Sequence, residues 1–398
     1  MPWSNVLGQP RVADALASAI RSGRVAHAYL FHGPEGVGKT AAALAFAQAL
    51  QCERRGRPGG PEGDACGTCL ACTKTARLLH PDVHLFLPFA KHSKPADKDE
   101  LPPDYPERLQ AIAADPYSGS DYRRLGKLGD ESAAPTNKQV AHRKLPINEK
   151  VRHALAYVPS EGRKAVGILP DADLMNPPAA NALLKLLEEP SPSVVLVLTT
   201  ERLDGMLPTV VSRCQRVRFD RLAAPVIEGA LTARGVSPTR ASFVARVADG
   251  SMTRALRLVS DPTLAERREL ALEFVRAAYS GRAHKLVPVA DRAAKLRREP
   301  LKAWLQLLQV WIRDLVLVQA IGADAPIVNV DQAEAAQKFV AHVPHADLGA
   351  MSAAVEEATG LVEGNVSAGL VLASLGGALH EAMHGRPRPA LVTPLDHT

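Results

Sequence analysis

Gly33-Pro34-Glu35-Gly36-Val37-Gly38-Lys39-Thr40 has the residue types and spacing of a phosphate-binding loop. The glycines let backbone N–H groups turn inward around phosphate oxygens. Lys39 brings a positive charge toward the β and γ phosphates, and the Thr40 hydroxyl can ligate magnesium. The flanks suit this chemistry: the apolar run Ala28-Tyr29-Leu30-Phe31 precedes the loop, and an alanine-rich segment reaching Gln51 follows it. Strand, loop and helix in that order predict a nucleoside triphosphate with Mg2+ as the ligand. The loop alone does not decide whether the nucleotide is hydrolysed.

Four of the five cysteines lie together, Cys52, Cys66, Cys69 and Cys72, with 13, 2 and 2 residues between successive members. Two Cys-x-x-Cys steps fold a tight turn that offers sulfurs to one ion, and the loop from Glu53 to Ala65 brings in the fourth. The pattern suits tetrahedral thiolate ligation of zinc, and four thiolates leave no open position, so the role is structural. A redox pair or reduced buried cysteines are the alternatives. Cys214 stands apart and is expected to be a small packed residue.

Alternating strands and helices position these groups. Leu78 to Phe86 predicts a helix end turning into a strand, and Lys164 to Leu169 a short buried strand. Asn176 is placed to cap a helix with Pro177 in its first turn, running through Asn181-Ala182-Leu183-Leu184-Lys185-Leu186-Leu187 to Pro190. Val194 to Leu198 is a further strand, ending in Thr199-Thr200. The fold class expected is a parallel α/β sheet covered on both faces. Between Pro88 and Pro146 eight prolines, scattered charges and few aliphatic residues predict a surface insertion, partly disordered and with little core to bury. Val151, Ala154, Leu155 and Val158 then share one helical face. From Phe219 onward the chain reads as helical. Leu301, Trp304, Leu305, Leu308, Trp311, Ile312 and Leu315 recur at helical spacing, and the stretch Met351 to Met383 is weakened at Glu363-Gly364-Asn365.

The 398 residues suffice for two or three domains, and the balance of 48 basic against 42 acidic residues, formally +6, permits nucleic-acid contact without requiring it. Met1-Pro2-Trp3-Ser4-Asn5 lacks the basic and apolar regions of a signal peptide, and no uninterrupted 18-residue apolar run occurs. A cytoplasmic protein without membrane contact is expected.

The phosphate loop, the four-cysteine module, Asn181 to Pro190 and Ser212-Arg213-Cys214, in this order, resemble the clamp-loader branch of the AAA+ ATPases. Val6-Leu7-Gly8-Gln9, which lines the adenine site in that family, and His27 to Phe31 add to the likeness. The resemblance implies an AAA+ core over 1–218 carrying the zinc module (52–72) and the insertion (88–146), a helical lid over 219–262, and a helical collar over 263–388 that joins subunits into a ring. It implies as partners the motor subunits (tau/gamma), the delta subunit, the sliding clamp and, through the assembly, primed DNA. Gly33, Gly36, Gly38, Lys39, Thr40, Thr199 and Asp171 would form the nucleotide site.

Three positions bear on whether this member hydrolyses ATP. Motor subunits end the strand Val166-Gly167-Ile168-Leu169 with an Asp and then a Glu, and here those places hold Pro170 and Asp171. Proline offers no oxygen to the magnesium shell. In the alternative register Asp171 is the magnesium ligand and Ala172 leaves the base missing. Motor subunits also carry a sensing Arg where this chain has Thr253, and Arg254 is offset by about 100° around the helix. Ser212-Arg213-Cys214 is intact, and the resemblance implies that Arg213 reaches a neighbour's ATP as an arginine finger. The ring member implied is therefore one with weak or absent ATPase activity. Glu188 and Glu189 close a helix at its negative end, which suggests cationic partners in a neighbouring domain or subunit.

Overall fold

A computed structural model of the protein describes residues 2–90, 104–117, 140–141, 151, 154–155, 158–175, 177–387 and 390–391. Most of the 88–146 stretch, Ile147 and Asn176 lie outside the described residues. The chain forms two compact units: Met1–Val236 with Ala248–Arg257, and Ser237–Val247 with Leu258–Thr398.

The first unit is built on strands β1 (Ala28–His32), β2 (Val83–Leu85), β3 (Phe89–Ala90), β4 (Val140–Ala141), β5 (Ala165–Leu169), β6 (Val194–Thr200) and β7 (Gln215–Arg218). Five of them make a parallel sheet in the order β2-β5-β6-β1-β7, while β3 and β4 pair antiparallel by themselves. The register sets Leu30 and Leu169 both opposite Leu198. Apolar runs on β1, β5 and β6 supply both faces of the sheet, because successive side chains point to opposite sides. Tyr29, Phe31, Val166, Ile168, Val195 and Val197 fall in one core, and Leu30, Leu169, Val194, Leu196 and Leu198 in the other. Helices α1 (Pro10–Arg21), α2 (Lys39–Gln51), α3 (Leu70–Ala76) and α4 (Tyr105–Ala114) belong to this unit, as does the helix Pro177–Glu188. Helix α2 is buried along nearly its whole length, which its alanines permit by leaving no polar face to solvate.

Two expectations are corrected here. The insertion buries more than its composition suggests: α4 seats Ile112 at 1% exposure and Tyr105 at 8%, and Tyr117 follows at 4%. One apolar residue per helical turn, with Tyr105 Oη accepting from Leu87 N at 2.8 Å, is enough to dock a short helix. The expected helical face at 151–158 holds for Val151 and Leu155, both buried, but Val158 is exposed. Its successor residues lead instead into the turn that binds Asp82.

The second unit is helical, with Leu264–Tyr279, Arg298–Ile321, Leu348–Glu363 and Ala368–Met383 among its elements. The seven apolar residues from Leu301 to Leu315 all enter one core, with Trp304 fully enclosed. Burying each contributes about 1.5–3 kcal/mol. Half of the apolar stretch Pro300–Ile321 is covered by this packing, although its length and composition would let it cross a membrane. Asn365, at φ 62°, lies between the last two helices and marks the break expected at Glu363-Gly364-Asn365.

Candidate nucleotide and metal sites

The phosphate loop joins the carboxyl end of β1 to α2 and lies at the end of the sheet where parallel strands present ligand sites. Gly36 and Gly38 have φ of 72° and 98°, a region that costs an L-residue strain, and Gly38 caps α2. Lys39 is 6% exposed, and its Nζ donates to the carbonyls of Gly33 (2.8 Å) and Pro34 (2.6 Å). An ammonium has three donors, so one remains for an anion. Burial pushes Lys39 below its ordinary pKa, opposed in order by Glu201, Asp171, Glu35 and Asp173.

At the neighbouring strand ends, Thr199 and Thr200 are fully buried. The Asp171 N–H donates to Thr199 Oγ1 at 3.2 Å, and Thr200 Oγ1 donates to Asp173 Oδ1 at 2.8 Å. Strand β5 stops at Leu169, and Asp171 takes the left-handed conformation at φ 48°. The backbone therefore leaves the strand alternation before Asp171, so its direction does not follow from the pleat. Gly33, Gly36, Gly38, Lys39, Thr40, Thr199 and Asp171 gather at one sheet end. Arg213 lies in the turn after the short helix Pro208–Val211, before edge strand β7.

The Arg213 guanidinium donates to Thr209 O at 2.9 Å and pairs with Glu188 Oε1 at 3.0 Å, with the two side chains 37% and 49% exposed. Glu188 thus has a cationic partner within the chain. The pairing bridges two segments 25 residues apart, which no local pattern encodes. Cys214 is half-buried, and burial pushes its thiol up to about 11.

Sequence reasoning missed Glu201 and Asp173 beside Lys39, and Tyr117 beside the loop. Glu201 had a usable signal, since it directly follows the paired threonines at a strand's carboxyl end. Gln9 was read only as part of a motif; it is buried, and its Nε2 donates to Val37 O (3.2 Å) and Asp220 O (2.7 Å), tying the N-terminal segment to the loop.

Cys52 ends α2, Cys69 caps α3 and Cys72 lies in its first turn, so two helix termini and the intervening loop bring the thiols together. All four sulfurs lie within 4.8 Å of one another. Tetrahedral bonds of about 2.3 Å to one zinc put sulfurs about 3.8 Å apart, which this spacing fits. Backbone N–H groups of Cys66, Cys69 and Cys72 donate to the sulfurs of Cys52, Cys66 and Cys69 at 3.3–3.4 Å, an arrangement suited to thiolates. The Trp3 indole N–H donates to Gly63 O at 2.8 Å and fastens the N-terminus to the cysteine loop. These four residues could hold a metal ion.

The parallel order and the loop at the β1–α2 junction define an α/β core built around a phosphate loop, with the cysteine module attached to it. A family model described as DNA polymerase III, delta subunit, matches residues 8–223, and the chain belongs to that family. It is similar to DNA polymerase III subunit delta' of Bacillus subtilis, 29% identical over 325 residues that make up 81% of each chain. The delta' subunit of Pseudomonas aeruginosa is 32% identical over 189 residues, 48% of this chain and 42% of that one. DNA polymerase III subunit gamma/tau of Mycobacterium tuberculosis is 28% identical over 232 residues, 58% of this chain and 31% of that one.

Proposed function

We propose that the chain is a delta-prime-type subunit of the replicative clamp loader, a poorly hydrolysing scaffold that lends Arg213 to the ATP site of an adjacent motor subunit. The observation that carries this reading is the contrast at two strand junctions. In the register the resemblance implies, Pro170 stands where motor subunits carry a magnesium-ligating carboxylate, and in the alternative register Ala172 stands where they carry the base, while Arg213 remains at the surface in an intact Ser-Arg-Cys turn. A guanidinium engages phosphoryl oxygens with a planar fork and stabilises charge as the phosphoryl group transfers. Lid (219–262) and collar (263–388) would complete a ring with tau/gamma and delta that opens the sliding clamp and places it on primed DNA. Cys52, Cys66, Cys69 and Cys72 would hold one structural Zn2+, which joins the end of α2 to α3; chain purified without added metal should contain about one equivalent.

The second reading is an ATP-hydrolysing motor subunit of tau/gamma type. Asp171, Asp173 and Glu201, close enough to Lys39 to oppose the lowering of its pKa by burial, favour it. The experiment that separates the two is ATP turnover by the isolated chain and then by the chain assembled with the other loader subunits. The scaffold reading expects the isolated chain to stay far below the roughly 1–100 per second of phosphoryl-transfer enzymes, and the assembly to be active. Ordinary turnover by the isolated chain would sink it.

A further inference from the structure

Tyr117, in the 88–146 stretch, reaches the phosphate loop at Gly38, and its surroundings resemble a ligand's more than a loop's. It is 4% exposed. Its phenol oxygen accepts the Leu7 backbone N–H at 2.8 Å. A β-carbon placed on Gly38 would stand 2.7 Å from that oxygen and 3.2–3.3 Å from ring carbons, so ring and hydroxyl press directly on the loop residue that opens α2. A flat ring against a loop glycine, with an acceptor on a backbone N–H, offers what a purine base would need there. Burial pushes the phenol up to about 12, so it stays neutral, as a base would be.

The backbone of Tyr117 is tied down at its carbonyl and at its N–H, beside a lid segment that closes on the loop. Thr253 Oγ1, at 5% exposure, donates to Tyr117 O at 2.6 Å. Asp115 pairs with Arg234 at 2.7 Å and accepts from Tyr117 N at 3.0 Å. The Met252 N–H donates to Gly36 O at 2.9 Å and brings Ser251 and Thr253 over the loop, where a β-carbon on Gly36 would collide with Ser251 Oγ. The polar contacts of Thr253 and Arg234 are therefore spent on the segment 115–117 and not on a nucleotide.

We infer that Tyr117 occupies the base subsite of the chain's own nucleotide site, so that a nucleoside triphosphate binds only when the segment 115–117 is displaced. The inference rests on reading residues 33–40 as a nucleotide site, but not on the role of Arg213. It gives the insertion a task inside the chain: its anchored helix α4 delivers an aromatic plug, and apparent affinity falls to the intrinsic affinity multiplied by the fraction of time the plug is out.

The test is calorimetric titration of the full-length chain with ATP and Mg2+, which requires no turnover and so fails independently of the scaffold reading. Tyr117→Ala should bind ATP at least about 10-fold more tightly than wild type, as expected when a closed state populated about nine to one is removed. Tyr117→Phe, which keeps the ring and loses the bond from Leu7, should fall between them. Adding Lys39→Ala to Tyr117→Ala should weaken ATP binding below that of Tyr117→Ala alone, which places the ligand at the loop. A folded Tyr117→Ala with the wild-type affinity, or a double variant that binds ATP as tightly as Tyr117→Ala, overturns the inference. Should Tyr117→Ala fail to fold, the pair Asp115→Ala and Thr253→Val cuts the anchors and leaves the ring; tighter ATP binding supports the plug and unchanged binding overturns it.

Discussion

The phosphate loop and the Arg213 turn sit in the same unit, yet one is turned inward and the other outward. Around the loop several polar groups are taken up by the chain itself. Lys39 holds two loop carbonyls, Gln9 holds Val37 O, and Met252 holds Gly36 O. Arg213 has a carbonyl four residues back and one half-exposed carboxylate. A buried polar network rigidifies, because each member left unpaired costs desolvation energy; a surface pair exchanges freely with water or with a partner. The difference teaches that a motif's residues alone do not locate its work. The loop has the richer motif and the more closed surroundings.

The sharpest way to break this comparison is Arg213→Ala in a reconstituted loader. An arginine finger contributes about 1,000-fold or more to the rate at the site it serves. The substitution should therefore silence one site's share of DNA- and clamp-stimulated ATP turnover, while the chain still folds and joins the complex. Arg213→Lys should restore little of it, since an ammonium keeps the charge and loses the fork. Wild-type turnover by a normally assembled complex would leave Arg213 as a surface residue with a local partner.

The inward side is tested at Asp82, a 5% exposed carboxylate that accepts from Ser160 N (2.7 Å), Ser160 Oγ (3.1 Å), Glu161 N (2.9 Å) and Gly162 N (2.6 Å). Burial pushes its pKa up, but these bonds outweigh burial and hold it below the ordinary value. Asp82→Ala strands four donors, and a loss of about 3 kcal/mol is expected in urea unfolding at pH 7. A depressed folded pKa contributes stability that is complete above the unfolded carboxylate value and is lost as pH falls through the folded one. The gap between wild type and variant should therefore narrow between pH 5 and pH 2. An equal gap at both ends would mean that shape, not charge, docks the turn.

What the sequence made legible follows from how local each signal is. The phosphate loop, the cysteine spacing and the apolar strands β1, β5 and β6 are short patterns with few alternatives. The tryptophan-bearing helix Arg298–Ile321 announced itself by periodicity over about four turns, Leu301 to Leu315. Strand β7 escaped because Gln215-Arg216-Val217-Arg218 lies at the sheet edge, where solvated charges replace the apolar run. Tyr117 escaped because it follows a proline-rich, charged stretch, and composition averages over the one aromatic that docks. The Asp171 geometry depends on a left-handed residue that no side-chain pattern requires. Glu188 with Arg213, and Asp82 with residues 160–162, are long-range pairs fixed only by the fold.

The smallest effect sharpens the outward side. Glu188 is the last residue of the helix Pro177–Glu188, where a negative charge opposes the helix dipole by about 0.3–1 kcal/mol, and its exposed pairing with Arg213 returns about as much. Glu188→Gln removes both terms at nearly constant shape, so thermal and urea stability should move by no more than about 0.5 kcal/mol. In the assembled loader the variant frees Arg213 from a competitor for its fork. Turnover should then rise by at most about threefold, the rate equivalent of so small a free energy. A cycle with Arg213→Ala isolates the pair itself: the coupling in stability should lie near zero, while any gain in turnover should vanish when Arg213 is absent. A coupling above about 1.5 kcal/mol would show the pair to be part of the fold, and would move Arg213 from the outward to the inward side of the comparison.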